Sequence, residues 1–228
     1  MPPRVSVLQL DTDFPRVAGD VGCADTYRGT VEIIRMPSAT VGQVVSNRPD
    51  LIDIAPMEDA LRRARGDLVV TSCGFLSYWQ AHLAGLTDKP FISSALTALE
   101  DLSRSYAAGE ILILTFDAAS LTPLHLGAHA DYATGMVGLP DDMHLKRVIR
   151  ENQKTLDVER AGRELAAFIA TAQKPHHKHI LLECTNLPPY KAQMQAVTDL
   201  PITDILTCIE AAQLNTINPH FLPKKDIP

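Results

Sequence analysis

Val69-Val70-Thr71-Ser72-Cys73-Gly74-Phe75-Leu76 and Ile180-Leu181-Leu182-Glu183-Cys184-Thr185-Asn186-Leu187 lie 111 residues apart, and each reads as an apolar run, a cysteine and then a helical pattern. Slid over each other without a gap, 69–95 and 180–206 share Cys73/Cys184, Leu76/Leu187, Ala81/Ala192, Thr87/Thr198, Asp88/Asp199 and Pro90/Pro201. Six identities in 27 positions exceed the roughly one or two expected by chance, which marks an internal repeat. A weaker match lays Val5-Ser6-Val7-Leu8-Gln9-Leu10-Asp11 on Ile111-Leu112-Ile113-Leu114-Thr115-Phe116-Asp117, two strand patterns that both end in aspartate.

Working outward, Val5–Leu10, Leu68–Val70, Ile111–Leu114 and Ile180–Leu182 read as buried strands. Helical patterns cover Pro56–Ala64, Ser77–Ala84, Ala95–Tyr106, Asp157–Ala172, Lys191–Val197 and Asp204–Leu214. The alternation predicts an α/β protein of two pseudo-symmetric domains with mainly parallel sheets. The first is expected at 1–94 together with 205–228, the second at 95–204. The active site belongs in the cleft between them, beyond the carboxyl ends of the strands, with Cys73 and Cys184 facing each other.

Composition narrows the function. Of the 228 residues 46% are hydrophobic and 21% charged, which suits a packed globular chain. With 21 Lys and Arg against 27 Asp and Glu the net charge is −6, and no basic patch stands out, so nucleic acid is not an expected partner. Apolar runs fall short of the roughly 18 residues a membrane span needs. Met1-Pro2-Pro3-Arg4 runs directly into Val5-Ser6-Val7-Leu8, so a cytoplasmic protein is expected, with no membrane partner and homo-oligomerisation left open.

A cysteine at a strand-to-helix turn sits near the positive end of a helix, which favours thiolate and brings the thiol toward neutrality. Backbone N–H groups at such turns bind a carboxylate without help from lysine or arginine. A small acid held between two such turns has a thiolate on one side of its α-carbon and a thiol on the other. One group removes a proton and the other delivers one, inverting the centre. Gly74 opens the backbone of the first turn, while Asn186 and Pro188-Pro189 suit a cap and first turn in the second. Ser72, Thr115, Thr185 and Asn186 are candidates for substrate binding. Asp11 either orients a substrate ammonium or caps a turn. The segment Phe14–Gly22, with Arg16 and Asp20, either closes over the cleft or, the favoured reading, is a solvated loop. Glu183 alternates away from Cys184 and is left out of the mechanism, while Cys23 and Cys208 have no repeat partner and read as core or incidental residues.

At these residues the chain resembles the aspartate/glutamate/hydantoin racemase superfamily, whose members carry one cysteine in each of two α/β domains. The resemblance rests on Thr71-Ser72-Cys73-Gly74-Phe75-Leu76 and Leu182-Glu183-Cys184-Thr185, and on Leu114-Thr115-Phe116-Asp117-Ala118-Ala119-Ser120-Leu121-Thr122-Pro123. It implies cofactor-independent racemisation or epimerisation of a small amino acid or related carboxylate, with Cys73 and Cys184 as the acid–base pair. Relatives on this scaffold decarboxylate arylmalonates or isomerise maleate, and a non-catalytic binding protein is the remaining alternative. Glutamate racemases typically follow their cysteines with Asn-Thr and Thr-His, where this chain has Gly74-Phe75 and Thr185-Asn186. A less polar acid, an aspartate-like compound or a hydantoin-like ring therefore gains weight over glutamate.

Two histidine groups invite a metal, His125 with His129 at helical spacing and His176, His177 and His179 before a strand. Neither brings the further convergent ligands of a specific site, so no metal and no organic cofactor are expected. Turnover should accordingly survive exhaustive chelation, and the protein should show no visible cofactor absorbance. Loss of activity on removing metal, with recovery on adding it back, would contradict this.

Overall fold

The computed structural model describes residues 1–223 and contains two four-stranded sheets in which every paired strand is parallel. The first sheet has the order β2-β1-β3-β4, from β1 (Val5–Leu10), β2 (Val31–Met36), β3 (Leu68–Thr71) and β4 (Phe91–Ile92). The second has the order β6-β5-β7-β8, from β5 (Ile111–Thr115), β6 (Met136–Gly138), β7 (His179–Leu182) and β8 (Ile202–Thr203). The two orders are the same when each strand is shifted by four, as the internal repeat requires. Helices are α1 (Val41–Val44), α2 (Ala55–Arg63), α3 (Gln80–Ala84), α4 (Leu99–Leu102), α5 (Pro123–Leu126), α6 (His144–Arg150), α7 (Val158–Ala172), α8 (Lys191–Gln195) and α9 (Ile205–Ala212). Among the described residues no helix is long and apolar enough to cross a membrane.

The inner strands explain why the sequence was readable. β3, β5 and β7 are buried at every position, so they appear as unbroken apolar runs rather than alternating ones. The strands that the pattern does not single out have a different character. β2 is an edge strand with exposed alternate residues, and β4, β6 and β8 are only two or three residues long. Helices α7 and α9 end close to their predicted limits. Asp157 caps α7 by accepting from Arg160 N–H at 2.9 Å, and Asp204 caps α9 by accepting from Thr207 N–H at 2.9 Å.

Three helical patterns are realised differently. Ser77–Ala84 becomes a 3-10 turn over Gly74–Trp79 followed by α3, and Ala95–Tyr106 becomes a 3-10 turn over Ala95–Ala98 followed by α4. The predicted helix bearing both His125 and His129 stops at Gly127, whose φ of 55° a side chain would resist. The two rings do not share a face. His125 Nδ1 accepts from Thr122 N–H at 3.0 Å, and His129 meets Glu100 at 3.5 Å. His177 and His179 are likewise taken up locally, by Lys174 N–H at 3.0 Å and by the Thr203 hydroxyl at 2.9 Å.

After α9 the chain returns to the first half, where Arg28 N–H donates to Thr216 O at 2.9 Å and Asn218 N–H to Thr26 O at 3.0 Å. One ion pair ties α8 to the start of α9: Lys191 Nζ lies 2.7 Å from Asp204 Oδ2, and Asp204 is fully buried. Removing one member of a buried pair leaves the other uncompensated. Asp204→Ala should therefore lower the unfolding free energy in urea by about 3 kcal/mol or more. Asp204→Asn keeps the cap but likewise leaves Lys191 uncompensated, so it should cost less than the alanine variant only by the cap's share, about 1 kcal/mol.

Candidate active site

Each cysteine is delivered by the third strand of its sheet. Ser72 N–H donates to Leu8 O at 3.0 Å, and Glu183 N–H donates to Leu114 O at 2.9 Å, equivalent bonds that carry the chain past the strand end in the same way. Cys73 and Cys184 then line one small cavity that opens to solvent. Ser72, Gly74, Thr185 and Asn186 line it too, and much of the remaining wall is apolar, including Leu10, Phe14, Phe75 and Phe116. The halves meet here through backbone, since Thr185 Oγ1 donates to Ser72 O at 2.7 Å.

Two candidates from the sequence lie elsewhere. Asp11 does not line the cavity; its carboxylate pairs with Arg35 Nε at 2.5 Å and accepts from Ser38 N–H at 3.3 Å. Its repeat mate Asp117 also serves a turn, accepting from Ala119 N–H and Ser120 Oγ. Thr115 is buried beneath the site and donates to Glu183 Oε2 at 2.7 Å.

Two residues assigned no part in the chemistry take central positions. Phe14–Gly22 is not a solvated loop: Asp20 is 3% exposed, Val21 is fully buried, and Gly19, with φ 98°, is so close to Pro189 that a Cβ would stand 2.8 Å from its Cα. The fold brings Arg16 into the cavity wall. One terminal nitrogen pairs with Asp20 at 3.1 Å, the other donates to Thr12 Oγ1 at 3.2 Å, and the guanidinium lies 4.3 Å from the Phe14 ring centre. Its Nε is buried without a hydrogen-bond partner, so this clamped cation keeps one free donor. Asp20 also accepts from Asn186 Nδ2 at 2.6 Å, which turns Asn186 Oδ1 toward Cys184 Sγ at 3.8 Å. The signal available in sequence was Arg16 four residues before Asp20, flanked by Phe14 and two glycines.

Glu183 is the second. It is fully buried, lines the cavity, and its Oε1 has no hydrogen-bond partner. A Cβ on Gly74 would overlap Oε1 and stand 2.6 Å from the Glu183 carbonyl oxygen, so only glycine allows the two turns to approach this closely. The strand ends at Leu182, and the alternation that would have turned Glu183 away ends with it.

The electrostatics reverse one expectation. Burial pushes the Cys73 thiol up to about 12, and the neighbouring Glu183 pushes it the same way. Burial and Glu183 likewise push Cys184 well above the ordinary thiol range. Backbone donors at Phe75 and Asn186 and the charge of Arg16 at Cys73 do favour thiolate, but they are outweighed. The turns are short 3-10 segments whose end fields are weak beside the cost of desolvation. Burial also pushes Glu183 up to about 7, against its bonds from Thr115 and the Phe116 backbone.

No family model matches the chain. Among curated proteins, dimethylsulfoniopropionate lyase 7 of Emiliania huxleyi (strain CCMP1516) is 30% identical over 237 aligned positions, covering 96% of this chain and 69% of that protein. Dimethylsulfoniopropionate lyase of Durusdinium sp. clade D is 29% identical over 214, covering 89% and 71%. Among solved structures, allantoin racemase from Pseudomonas fluorescens superposes with a TM-score of 0.58 at 15% identity, over 99% of this chain and all of that one. Glutamate racemase from Campylobacter jejuni subsp. jejuni gives 0.51 at 14%, over 93% and 86%. The fold is the one the sequence resemblance implied, that of the aspartate/glutamate/hydantoin racemases.

Glu183 also predicts how stability depends on pH. In the native state it keeps its proton to about pH 7, while the unfolded chain releases it near 4.5. Between those values the native state binds more protons, so this group lowers stability as pH rises. Glu183→Gln removes the dependence. Relative to wild type it should gain up to roughly 3 kcal/mol in denaturant titrations between pH 4 and pH 8.

Proposed function

Because the chain belongs to the dimethylsulfoniopropionate lyase family, we propose that it is a cysteine-dependent lyase for a small carboxylate bearing a sulfonium group on the β-carbon, dimethylsulfoniopropionate itself being the first substrate to test. The observation that carries this reading is one cavity holding two equivalently placed thiols, a clamped guanidinium with a free donor, and an aromatic wall. In the reaction so read, the substrate carboxylate takes the Arg16 Nε–H and the N–H groups of the cysteine turns. The sulfonium methyls lie against Phe14, Phe75 and Phe116, whose ring faces attract a cation.

Cys73 is the base, since the positive charge of Arg16 favours its thiolate. Cys184, bonded to Asn186 Oδ1 and facing the charges of Glu183 and Asp20, stays a thiol. The Cα–H bond breaks as S–H forms on Cys73. Its electron pair becomes the Cα–Cβ double bond, and the Cβ–S pair leaves with sulfur as neutral dimethyl sulfide, giving acrylate. Backbone donors on the carboxylate stabilise the charge that builds there during proton removal.

Racemisation is the second reading, favoured by the equivalence of the two thiols across the repeat. It has the same first step. With no leaving group on the β-carbon, Cys184 returns a proton to the opposite face.

Cys73→Ser should cut acrylate release by about a thousandfold, the range for loss of a general base. Cys184→Ser should cost the lyase about tenfold or less but abolish inversion of any amino acid or hydantoin the enzyme accepts. The check is NMR in heavy water, following sulfide and acrylate release together with α-proton exchange. Equal, large losses of lyase activity in both variants would count against Cys73 as sole base. Full lyase activity in Cys73→Ser would overturn the reading.

A further inference from the structure

Glu183 is a buried acid that this mechanism does not yet use. It lies on the floor of the cavity beneath Gly74, with Oε2 held by Thr115 Oγ1 at 2.7 Å and Oε1 held by nothing. Gly74 leaves out the side chain that would occupy the place of Oε1, and the next residues on either side of this contact are Cys73 and Cys184. A fully buried carboxyl with one idle oxygen is costly, and a purely structural role would have used both oxygens. Two buried thiols beside it need somewhere to put a proton, because the cavity walls around them offer few polar groups.

We propose that Glu183 is the internal proton acceptor of the cysteine pair, receiving the Cys73 thiol proton on Oε1 and so generating the thiolate that attacks the substrate. The assignment rests on the reading of Cys73 as base. The step conserves charge: the S–H bond of Cys73 breaks, the O–H bond of Glu183 forms, and one negative charge moves from oxygen to sulfur. The proton passes directly or through one water. After Cys73 has taken the α-proton, both groups are neutral, and Glu183 loses its proton to solvent as product departs. The transfer avoids creating a second buried charge, which release of the thiol proton to bulk water would require.

The charged and titratable groups around Glu183 fit this direction. Cys73 follows β3 and Cys184 follows β7; from the loop after β1 come Arg16, which favours thiolate at Cys73, and Asp20, which disfavours it at Cys184. From α6, Lys146 Nζ lies 5.6 Å from the Phe116 ring centre, and His125 meets the Phe75 ring edge-on at 5.3 Å between centres. Burial lowers His125 to about 4, leaving it neutral and unsuited to competing for the proton.

The test needs no substrate. Alkylation of Cys73 by iodoacetamide is followed by peptide mass spectrometry from about pH 5 to about pH 9. In wild type the rate should rise to a plateau once Glu183 is ionised, above about pH 7, because the proton then exchanges inside the site. In Glu183→Gln the plateau should disappear: the rate should climb about tenfold per pH unit through neutrality and exceed wild type above about pH 8, because no carboxylate then opposes the thiolate. Thr115→Val keeps the acid but removes a donor that favours its ionised form, so the plateau should begin at higher pH. This variant decides the matter if Glu183→Gln does not fold. A Gln profile that superimposes on wild type, or an unmoved onset in Thr115→Val, would overturn the proposal. If the profiles behave as expected but no sulfide is released, the lyase reading fails and the role of Glu183 stands.

Discussion

Everything at the site depends on how closely the two cysteine turns approach. Gly74 packs directly on the Glu183 carboxyl and backbone, and Thr185 reaches across to the Ser72 carbonyl at 2.7 Å. A Cβ at residue 74 would separate the turns, and with them the two thiols. The parallel sheets on each side supply the rigidity that makes such an approach specific, since β1, β3, β5 and β7 are anchored by residues with almost no exposure. The scaffold is doubled, but its contact is not symmetrical. Ser72 and Glu183 occupy equivalent places, yet one is a hydroxyl that accepts from Leu10 N–H at 3.0 Å and the other is an acid with a free oxygen.

That asymmetry gives the two thiols different surroundings. Arg16 and Asp20 belong to one loop and are paired with each other, yet they bear on different thiols, the cation on Cys73 and the carboxylate, through Asn186, on Cys184. The same loop is latched to the other half: Asp13 and Phe14 N–H groups both donate to Asn152 Oδ1, at 2.7 and 3.2 Å. Burial then magnifies each of these charges, because low-dielectric, mostly apolar surroundings screen them weakly. A site in open solvent with the same residues would have two ordinary thiols and an ordinary carboxylate. The cavity that sets these shifts is mostly apolar and holds a small number of oriented charges.

Much of the architecture could be read directly. The buried strands carry unbroken apolar runs, and Asp157 and Asp204 are caps that mark helix starts, so the alternation of strand and helix was legible without tertiary information. The site was legible only in part. Cys73, Cys184, Ser72, Gly74, Thr185 and Asn186 cluster because the repeat puts each at the end of a third strand. Asp11 was misleading for a local reason: an aspartate at a strand end can serve a turn as readily as a ligand, and here Arg35 and Ser38 engage it. Glu183 escapes the alternation rule because strand β7 ends at Leu182, one residue before it.

The sequence by itself determined the doubled α/β plan and the placement of one cysteine at each equivalent strand end, because period and repetition are local properties that survive without coordinates. Only the tertiary structure decided which charges meet those cysteines. Arg16 and Glu183 are 167 positions apart, and although Glu183 stands beside Cys184, nothing along the chain says that both line the cavity of Cys73. Their effect also depends on burial, which pushes the thiols and the acid upward together, and burial is a property of the packed whole rather than of any segment.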